Sequence, residues 1–333
     1  MGVTIAEIAE LAEVSVPTVS KVLNGRPGVS AETRERVAGL LSTHGYTRRG
    51  GARQRVGLVD FVIADLSTTW AHQLIVGAEL EAARAGVSLV VTSTHGRRAG
   101  NRHWIRQLAA RRSDGIVLVV SELHPGAEDE LRRLDTPLVL VDSDGGTDSH
   151  APTVAATNWA GGLSATEHLV SLGHRRIGII TGPESLACSR DRLDGYRAAL
   201  SRAGIPFDPE LVGYGDFRRA GGLEGGRRLL ALEDRPTAIF AGSDHQAHGV
   251  YLAAAEAGLR IPDDLSVVGF DDVDLCEWIS PNLTTVRQPL ADMAREATRL
   301  VLALGEADAD PPAPRVELST RLVVRESTAP PRP

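Results

Sequence analysis

The chain has 333 residues, of which 42% are hydrophobic and 24% charged, with a formal net charge of −7. That is an ordinary soluble globular composition with room for more than one domain. Two cysteines, Cys188 and Cys276, exclude a disulfide framework and a CxxC metal or redox motif, and no apolar run approaches the roughly 18–20 residues that span a bilayer.

The net charge argues against nucleic acid, but its distribution argues for it. Residues 1–55 hold eight Lys or Arg against five Glu, a balance of +3, which leaves −10 for the rest. Arg48, Arg49, Arg53 and Arg55 fall together with no acid among them. A small basic head on an acidic body points to a polyanionic partner for the head. The opening MGVTIAEIAELAEV lacks a basic leader and a continuous apolar stretch, so the expected compartment is the cytoplasm.

Taken in chain order, Thr4 precedes apolar residues at helical spacing (Ile5, Ile8, Ala9, Leu11, Ala12), and Glu7 completes a capping box with it. A second short helix follows Ser15 as N-cap, with Pro17 in its first turn, and stops at Asn24-Gly25. A third follows Ser30 and carries Thr33, Val37, Leu40 and Leu41 towards Gly45. These three segments fit a generic bundle. Ala9, Val14, Val19 and Val22, however, place a small residue before a tight turn and apolar anchors after it, the spacing of a helix-turn-helix. Val16, Pro17 and Lys21 then point away from the core, while Ser15, Thr18, Ser20 and Asn24 offer short polar groups to phosphates.

The segment VTIAEIAELAEVSVPTVSKVLNGRPGVSAETRERV, with VSxxTVSxVLN followed by VSxxTRxRV, closely resembles the headpiece of the lactose/galactose repressor family. The resemblance implies that Val16, Pro17 and Lys21 face base edges in the major groove. It also implies that Thr4, Ser15, Thr18, Ser20, Asn24, Ser30 and Thr33 hold phosphates. Lys21 stands where Arg is common, and Lys is a point donor rather than a planar fork. The sequence departs from the family after Tyr46. No Leu is available to wedge into the minor groove, Gly50-Gly51 disfavour a helix, and only nine residues, 47–55, precede the next apolar run. Two readings of the hinge stay open: Arg48 and Arg49 lie along phosphates or in a narrow minor groove, or the segment is a solvated linker.

From Val56 onward, short apolar runs alternate with helical stretches. Strands are expected at Val56–Ile63, Ser88–Ser93, Gly115–Val120, Pro137–Asp142, Arg176–Thr181, Pro236–Ala241 and Leu265–Phe270. Helices are expected at His72–Ala85, Asn101–Ala110, Gly126–Leu134, Trp159–Leu172, Arg190–Ala203, Ala220–Leu232 and Asp244–Ala257. Repeated βα units with continuous apolar strands mean parallel sheets covered on both faces, and about 280 residues exceed one compact sheet. The segments GHRRIGIITGP, SRDRLDGYRAAL, IPDDLSVVGFDD and SPNLTTVRQPL again resemble the same family. The resemblance implies an all-α helix-turn-helix headpiece (1–46), a hinge (47–55) and an α/β sensor (56–333) like periplasmic sugar-binding proteins, with two doubly wound parallel sheets. The implied N-lobe is about 56–155 plus 289–319, and the C-lobe about 156–288 plus 320–333. Crossovers are expected near Ala155–Asn158, Gln288–Pro289 and Ser319–Arg321, with a ligand between the lobes at the strand ends.

A sugar cleft needs planar donors and acceptors for hydroxyls and flat faces for the ring. By resemblance, Asp271 and Arg192 contact the ligand; Asp271 also suits a helix cap or ion pair, and Arg192 a salt bridge to Asp191 or Asp194. Asp142 and Asn158 sit at a strand end and a crossover. Ser243 and Asp244 follow a strand, where Asp244 also suits a helix cap. Trp70, Trp159, Phe217 and Trp278 fall near expected strand-end loops, as core or as stacking platforms. The family's effectors span pentoses, hexoses, oligosaccharides, nucleosides and purines.

No catalytic residue, metal site or cofactor is expected. No GxGxxG, GxxxxGK[ST] or GxSxG occurs. His245 and His248 have HxxH spacing without a third ligand and read as helix-surface residues, and GGLEGG at 221–226 reads as a loop and helix start. The expected function is a repressor: a homodimer on pseudo-palindromic operator DNA, released or tightened by a small sugar-like effector, with no membrane partner. The alternatives are a solute-binding protein without a DNA role and a sugar-processing enzyme.

Overall fold

The computed structural model describes residues 5–23, 28–43, 56–94, 103–119, 126–134, 136–142, 151–306 and 315–332. Thr4, Asn24, Arg48 and Arg49 lie outside the described residues. The chain divides into two compact units, 1–55 and 56–333.

The small unit holds α1 (Ile5–Leu11), α2 (Val16–Leu23) and α3 (Ala31–Thr43). Ile8, Ala9, Ala12, Val19 and Val37 are buried together, with Val14, Val22, Leu40 and Leu41 packed around them. Two of its helices start alike. The Ser15 hydroxyl takes the Thr18 backbone N–H and lies 2.9 Å from the Thr18 hydroxyl. Ser30 takes the Thr33 N–H at 3.2 Å and donates to the Thr33 hydroxyl. Each Ser thus satisfies an N–H that the first turn leaves without a helical partner.

The larger unit begins with β1 (Leu58–Ile63), α4 (Thr69–Arg84), β2 (Ser88–Ser93), α5 (His103–Arg111), β3 (Gly115–Val119), α6 (Ala127–Arg132), β4 (Leu138–Val141) and β5 (Thr153–Ala156). It continues with α7 (Asn158–Ser171), β6 (Ile177–Thr181), α8 (Ala187–Arg202), β7 (Val212–Tyr214), α9 (Arg219–Leu230), β8 (Ala238–Ala241), α10 (Asp244–Glu256) and β9 (Ser266–Asp271). Last come α11 (Leu275–Trp278), β10 (Thr284–Arg287), α12 (Leu290–Glu306), β11 (Arg315–Leu318) and β12 (Arg321–Val323). The strands form two six-stranded sheets, ordered β11-β5-β4-β3-β1-β2 and β12-β10-β9-β8-β6-β7. Among the described residues every pairing is parallel except β12 on β10. The chain passes between the sheets after β5, after β10 and after β11.

Strand residues alternate between two cores, as the period of two requires. In β1, Val59, Phe61 and Ile63 enter the layer under α4 and α12, while Val62 enters the layer under α5 and α6. In β8, Ala238 and Phe240 face α7 and α8, and Ile239 and Ala241 face α9 and α10. Burying each large apolar side chain stabilises the fold by about 1.5–3 kcal/mol, and both faces of both sheets collect this gain. Asp60, on β1, is a charged exception buried in this sheet; its carboxylate is held by Arg111, whose guanidinium also reaches Thr92.

GGLEGG is not a loop. Residues 221–226 lie inside α9, and a Cβ at Gly222 would sit 2.1 Å from the Gln246 carbonyl oxygen of α10. The glycine lets two helix backbones approach, at the cost of lower helix propensity.

Candidate functional site: an inter-lobe cleft and an exposed recognition helix

On the small unit, α2 buries Val19 and presents Val16, Pro17 and Lys21 to solvent; Val16 is 45% exposed. Ser15 and Ser30 are exposed, and Thr18, Ser20 and Thr33 are half-buried. The helix therefore keeps one apolar flank for its own core and carries an outward face with an aliphatic surface, a ring and a cation.

On the larger unit, a cavity of about 240 Å³ opens between the sheets at the C-terminal ends of their strands. Ile63 ends β1, Val119 ends β3, Asp142 follows β4, Ser243 follows β8 and Asp271 ends β9, and all five line it. Open α/β sheets form such crevices because the turns after their strands diverge to opposite faces.

Arg192 is the centre of the polar wall. It projects from α8, is 3% exposed, and lies with its guanidinium carbon 3.8 Å from the Phe270 ring centre and 5.3 Å from that of Phe217. Its Nε donates to Asn158 Oδ1 at 2.9 Å and one Nη to the Gly242 carbonyl. Neither Asp191 nor Asp194 takes it in a salt bridge; Asp194 pairs with Arg197.

Two carboxylates face this cation. Asp271 is buried, accepts from Gln288 Nε2 at 2.6 Å, and has a φ of 116°. Burial pushes its carboxyl well above the usual range; Arg192 pulls it back, and Asp244 and Asp142 push it further. Asp142 has a φ of 55°, and its Oδ1 is buried without a protein hydrogen-bond partner. Burial pushes its carboxyl up as well, against Arg192 and a hydrogen bond from Asn158. A buried acceptor without a partner is a socket for a donor. Both groups sit in left-handed backbone, where non-glycine residues carry strain that marks functional turns.

Of the other sequence candidates, Trp70 and Phe217 line the cavity. Phe217 has a φ of 61°, and its ring lies where a Cβ at Gly182 would be, 2.1 Å from its edge. Ser243 lines it too, but its hydroxyl donates to the Phe217 carbonyl and caps α10. Asn158 is buried behind the wall and orients Arg192. Three candidates are corrected. Asp244 is fully buried and structural: it accepts from Thr285 and from the Val273 N–H and ties α10 to β10. Trp159, 42% exposed, has its ring 6.0 Å from the Arg202 guanidinium, and Trp278, 69% exposed, ends α11; neither lines the cavity.

The sequence reading missed Asp65, Thr68, Asp216, Arg218 and His245, all of which line the cavity. The HxxH spacing suggests a helix-surface residue at His245, yet it stands in the first turn of α10 beside Ser243, and burial and its cationic neighbours pull its pKa down. Its position two residues after a strand-end Ser was the available signal. Among the described residues no group of three or more His, Cys, Asp or Glu is placed to hold a metal ion, and no helix is long and apolar enough to cross a membrane.

Comparison with known proteins agrees with this architecture. Residues 4–49 match bacterial regulatory proteins of the lacI family, and residues 166–328 match the periplasmic binding protein-like domain. The ribose operon repressor of Haemophilus influenzae is 34% identical over 303 residues, covering 90% of this chain and 91% of that protein. A transcriptional regulator CelR–cellobiose complex superposes with a TM-score of 0.76 at 32% identity, over 98% of this chain and 99% of that one. The lac repressor dimer bound to operator and the anti-inducer ONPF superposes with a TM-score of 0.72 at 28% identity, over 99% of this chain and 100% of that one. With a helix-turn-helix unit, a two-lobed α/β unit and a relative of this identity over 90% of its length, the chain belongs to the lacI family of bacterial regulatory proteins.

Proposed function

We propose that the chain is a transcriptional repressor whose grip on operator DNA is set by a small, neutral, polyhydroxylated effector, a carbohydrate, held in the inter-lobe cleft. The observation that carries the reading is the polar wall of that cleft. Arg192 is locked by Asn158 and Gly242 and stacked on Phe270. Beside it stand two buried carboxylates, one with an unfilled acceptor. Carboxylates accept from hydroxyl pairs, the guanidinium donates to ring or hydroxyl oxygens, and Trp70 and Phe217 offer flat faces.

In this reading Val16, Pro17 and Lys21 read base edges, and Ser15, Thr18, Ser20, Ser30 and Thr33 hold phosphates. Two copies bind as a homodimer on a pseudo-palindromic site, since one short helix grips weakly and linkage multiplies the grip. The protein acts in the cytoplasm by binding and not by turnover. Effector and operator are coupled by about 1–3 kcal/mol, or 5- to 150-fold.

The test has two arms on the full-length chain. Fluorescence anisotropy against a library of palindromic duplexes measures DNA binding, repeated with each of a panel of mono- and disaccharides. Selected duplexes bound in the nanomolar range, with at least one sugar shifting affinity fivefold or more, is the expected outcome. Indifference to every duplex would sink the repressor reading, and indifference to every sugar the effector reading.

A further inference from the structure

The cleft has a mouth as well as a floor, and among the described residues an ion pair crosses it. Asp65 follows β1, in the lobe of the first sheet; Arg218 precedes α9, in the lobe of the second. Their side chains meet in a salt bridge, and both residues line the cavity. The pair is 29% and 51% exposed, so it stands at the solvent edge and not on the floor.

Both partners are aimed before they meet. The Ser67 N–H donates to Asp65 Oδ1 at 2.9 Å, which leaves the other oxygen towards Arg218. Arg218 is presented by a fixed turn: its own N–H donates to Asp216 Oδ1 at 2.9 Å, and the preceding Phe217 carbonyl takes the Ser243 hydroxyl at 2.9 Å. Phe217, in left-handed backbone, tucks its ring against Gly182 beneath Arg192. Pre-aiming reduces the side-chain entropy that an exposed ion pair otherwise surrenders.

We propose that Asp65 and Arg218 form a clasp that holds the two lobes together across the cleft mouth and that must open for an effector to enter or leave. The clasp deepens the effector reading above and rests on it for its biological meaning. It sets the resting ratio of closed to open lobes, and a ligand is felt at the DNA only through its preference between those two arrangements. The same turn that carries the clasp also carries Phe217, which touches the cavity floor at Arg192. Occupancy of the floor and the state of the clasp therefore share one rigid piece of backbone.

The experiment needs no effector. The native cysteines are buried, so spin labels at Glu79→Cys on α4 and Glu224→Cys on α9, both exposed, report the inter-lobe distance by pulsed electron resonance in the full-length chain. Asp65→Asn and Arg218→Gln should each lengthen the distance distribution and lower the closed-to-open ratio about two- to fivefold. The charge swap Asp65→Arg with Arg218→Asp should recover part of it, and 1 M salt should move the parent protein towards the single variants while leaving them in place. Melting curves check that each variant is folded; Asp65→Asn is nearly isosteric and serves if Arg218→Gln is not. Identical distributions in the parent and in folded Asp65→Asn overturn the clasp. Failure of every sugar in the binding screen, with the distributions shifted as expected, would remove the effector reading and leave the clasp standing.

Discussion

Arg192 lies 3.8 Å above the Phe270 ring while its Nε is fixed on Asn158. Helix α8, strand β9 and the first crossover thus meet at one side chain, the crossover being the point where the chain leaves one lobe for the other. A planar, always-charged group is suited to this position because it stacks with its face and donates with its edge.

Arg192→Lys keeps the charge and loses both the stack and the fork. Asn158 Oδ1 and the Gly242 carbonyl would be left underpaired in a buried site, costing about 2–4 kcal/mol of stability. Melting should fall accordingly, and any sugar that raises the melting temperature of the parent should lose at least tenfold in affinity. A variant that melts and binds like the parent would show that the guanidinium geometry is immaterial.

The second prediction concerns pH. Burial pushes the Asp244 carboxyl up to about 7. A carboxyl raised above its unfolded value of 3.8 keeps its proton longer in the folded chain. Its favourable contribution is therefore complete below about pH 4 and is lost as the pH climbs through 7. Asp244→Asn holds the neutral form at every pH, with its amide placed to donate to Thr285 and its oxygen to accept from Val273. The difference in melting temperature, variant minus parent, should rise between pH 5 and pH 8 by at least a few degrees. A difference that is flat or falls over that range would mean that Asp244 is ionised in the folded protein at pH 5.

The outcome at Asp244 bears on what the sequence could reveal. The fold was legible because its signals are local: apolar runs such as Val117 and Leu118 in β3, bounded by turns, state a strand buried on both faces without reference to anything distant. Some local signals were nonetheless overlooked. Leu290, Met293, Ala294, Ala297 and Val301 carry the 3.6-residue period of α12 and are buried against the first sheet. The family-like segment ends at Leu290, and the expected elements end at Phe270, before this period begins. Ala155, expected at a crossover, belongs to β5, whose pairing with β11 joins residues more than 150 apart in sequence.

Of the candidate site, the cavity lining by Arg192, Asp271 and Asp142 was legible, since motif and strand end point to them, and the rest was illegible where three-dimensional company decides. Asp244 and Asp271 are both acids beside strand ends. Asp244, in the first turn of α10, turns inward to Thr285, and Asp271, in left-handed backbone at the end of β9, faces the cavity. Trp159 and Trp278 carry rings that suit sugars, but ring type says nothing about which side of a helix faces the cleft. Asp65 and Arg218 come from opposite lobes, and nothing in their own neighbourhoods announces the other.

A third prediction uses two glycines. Gly222 meets the α10 backbone, so Gly222→Ala forces two helices apart and should destabilise the larger unit by about 1–3 kcal/mol. Gly39, in α3, has nothing within 4 Å of its Cβ position, so Gly39→Ala should stabilise the small unit by about 0.5–1 kcal/mol through helix propensity. Chemical denaturation of each variant checks both; opposite signs are expected, and a Gly222→Ala variant as stable as the parent or more so would mean that close approach is not what that glycine serves.

The fourth prediction separates reading from gripping at the DNA face. Lys21 is exposed on the last turn of α2. If its ammonium donates to a guanine edge, Lys21→Ala should weaken the selected operator by about 1–3 kcal/mol and relax preference at one position per half-site. Weak binding to unrelated DNA should change little. If it only neutralises a phosphate, binding to all sequences should weaken alike, and the slope of log affinity against log salt should fall by about one per contact. Lys21→Arg distinguishes further, since a fork can take both acceptors of guanine where the ammonium takes one; sharper preference at that position supports base reading, and an unchanged preference supports the phosphate. A duplex selection repeated with parent, Lys21→Ala and Lys21→Arg decides between them, because only base contact changes which sequences are recovered.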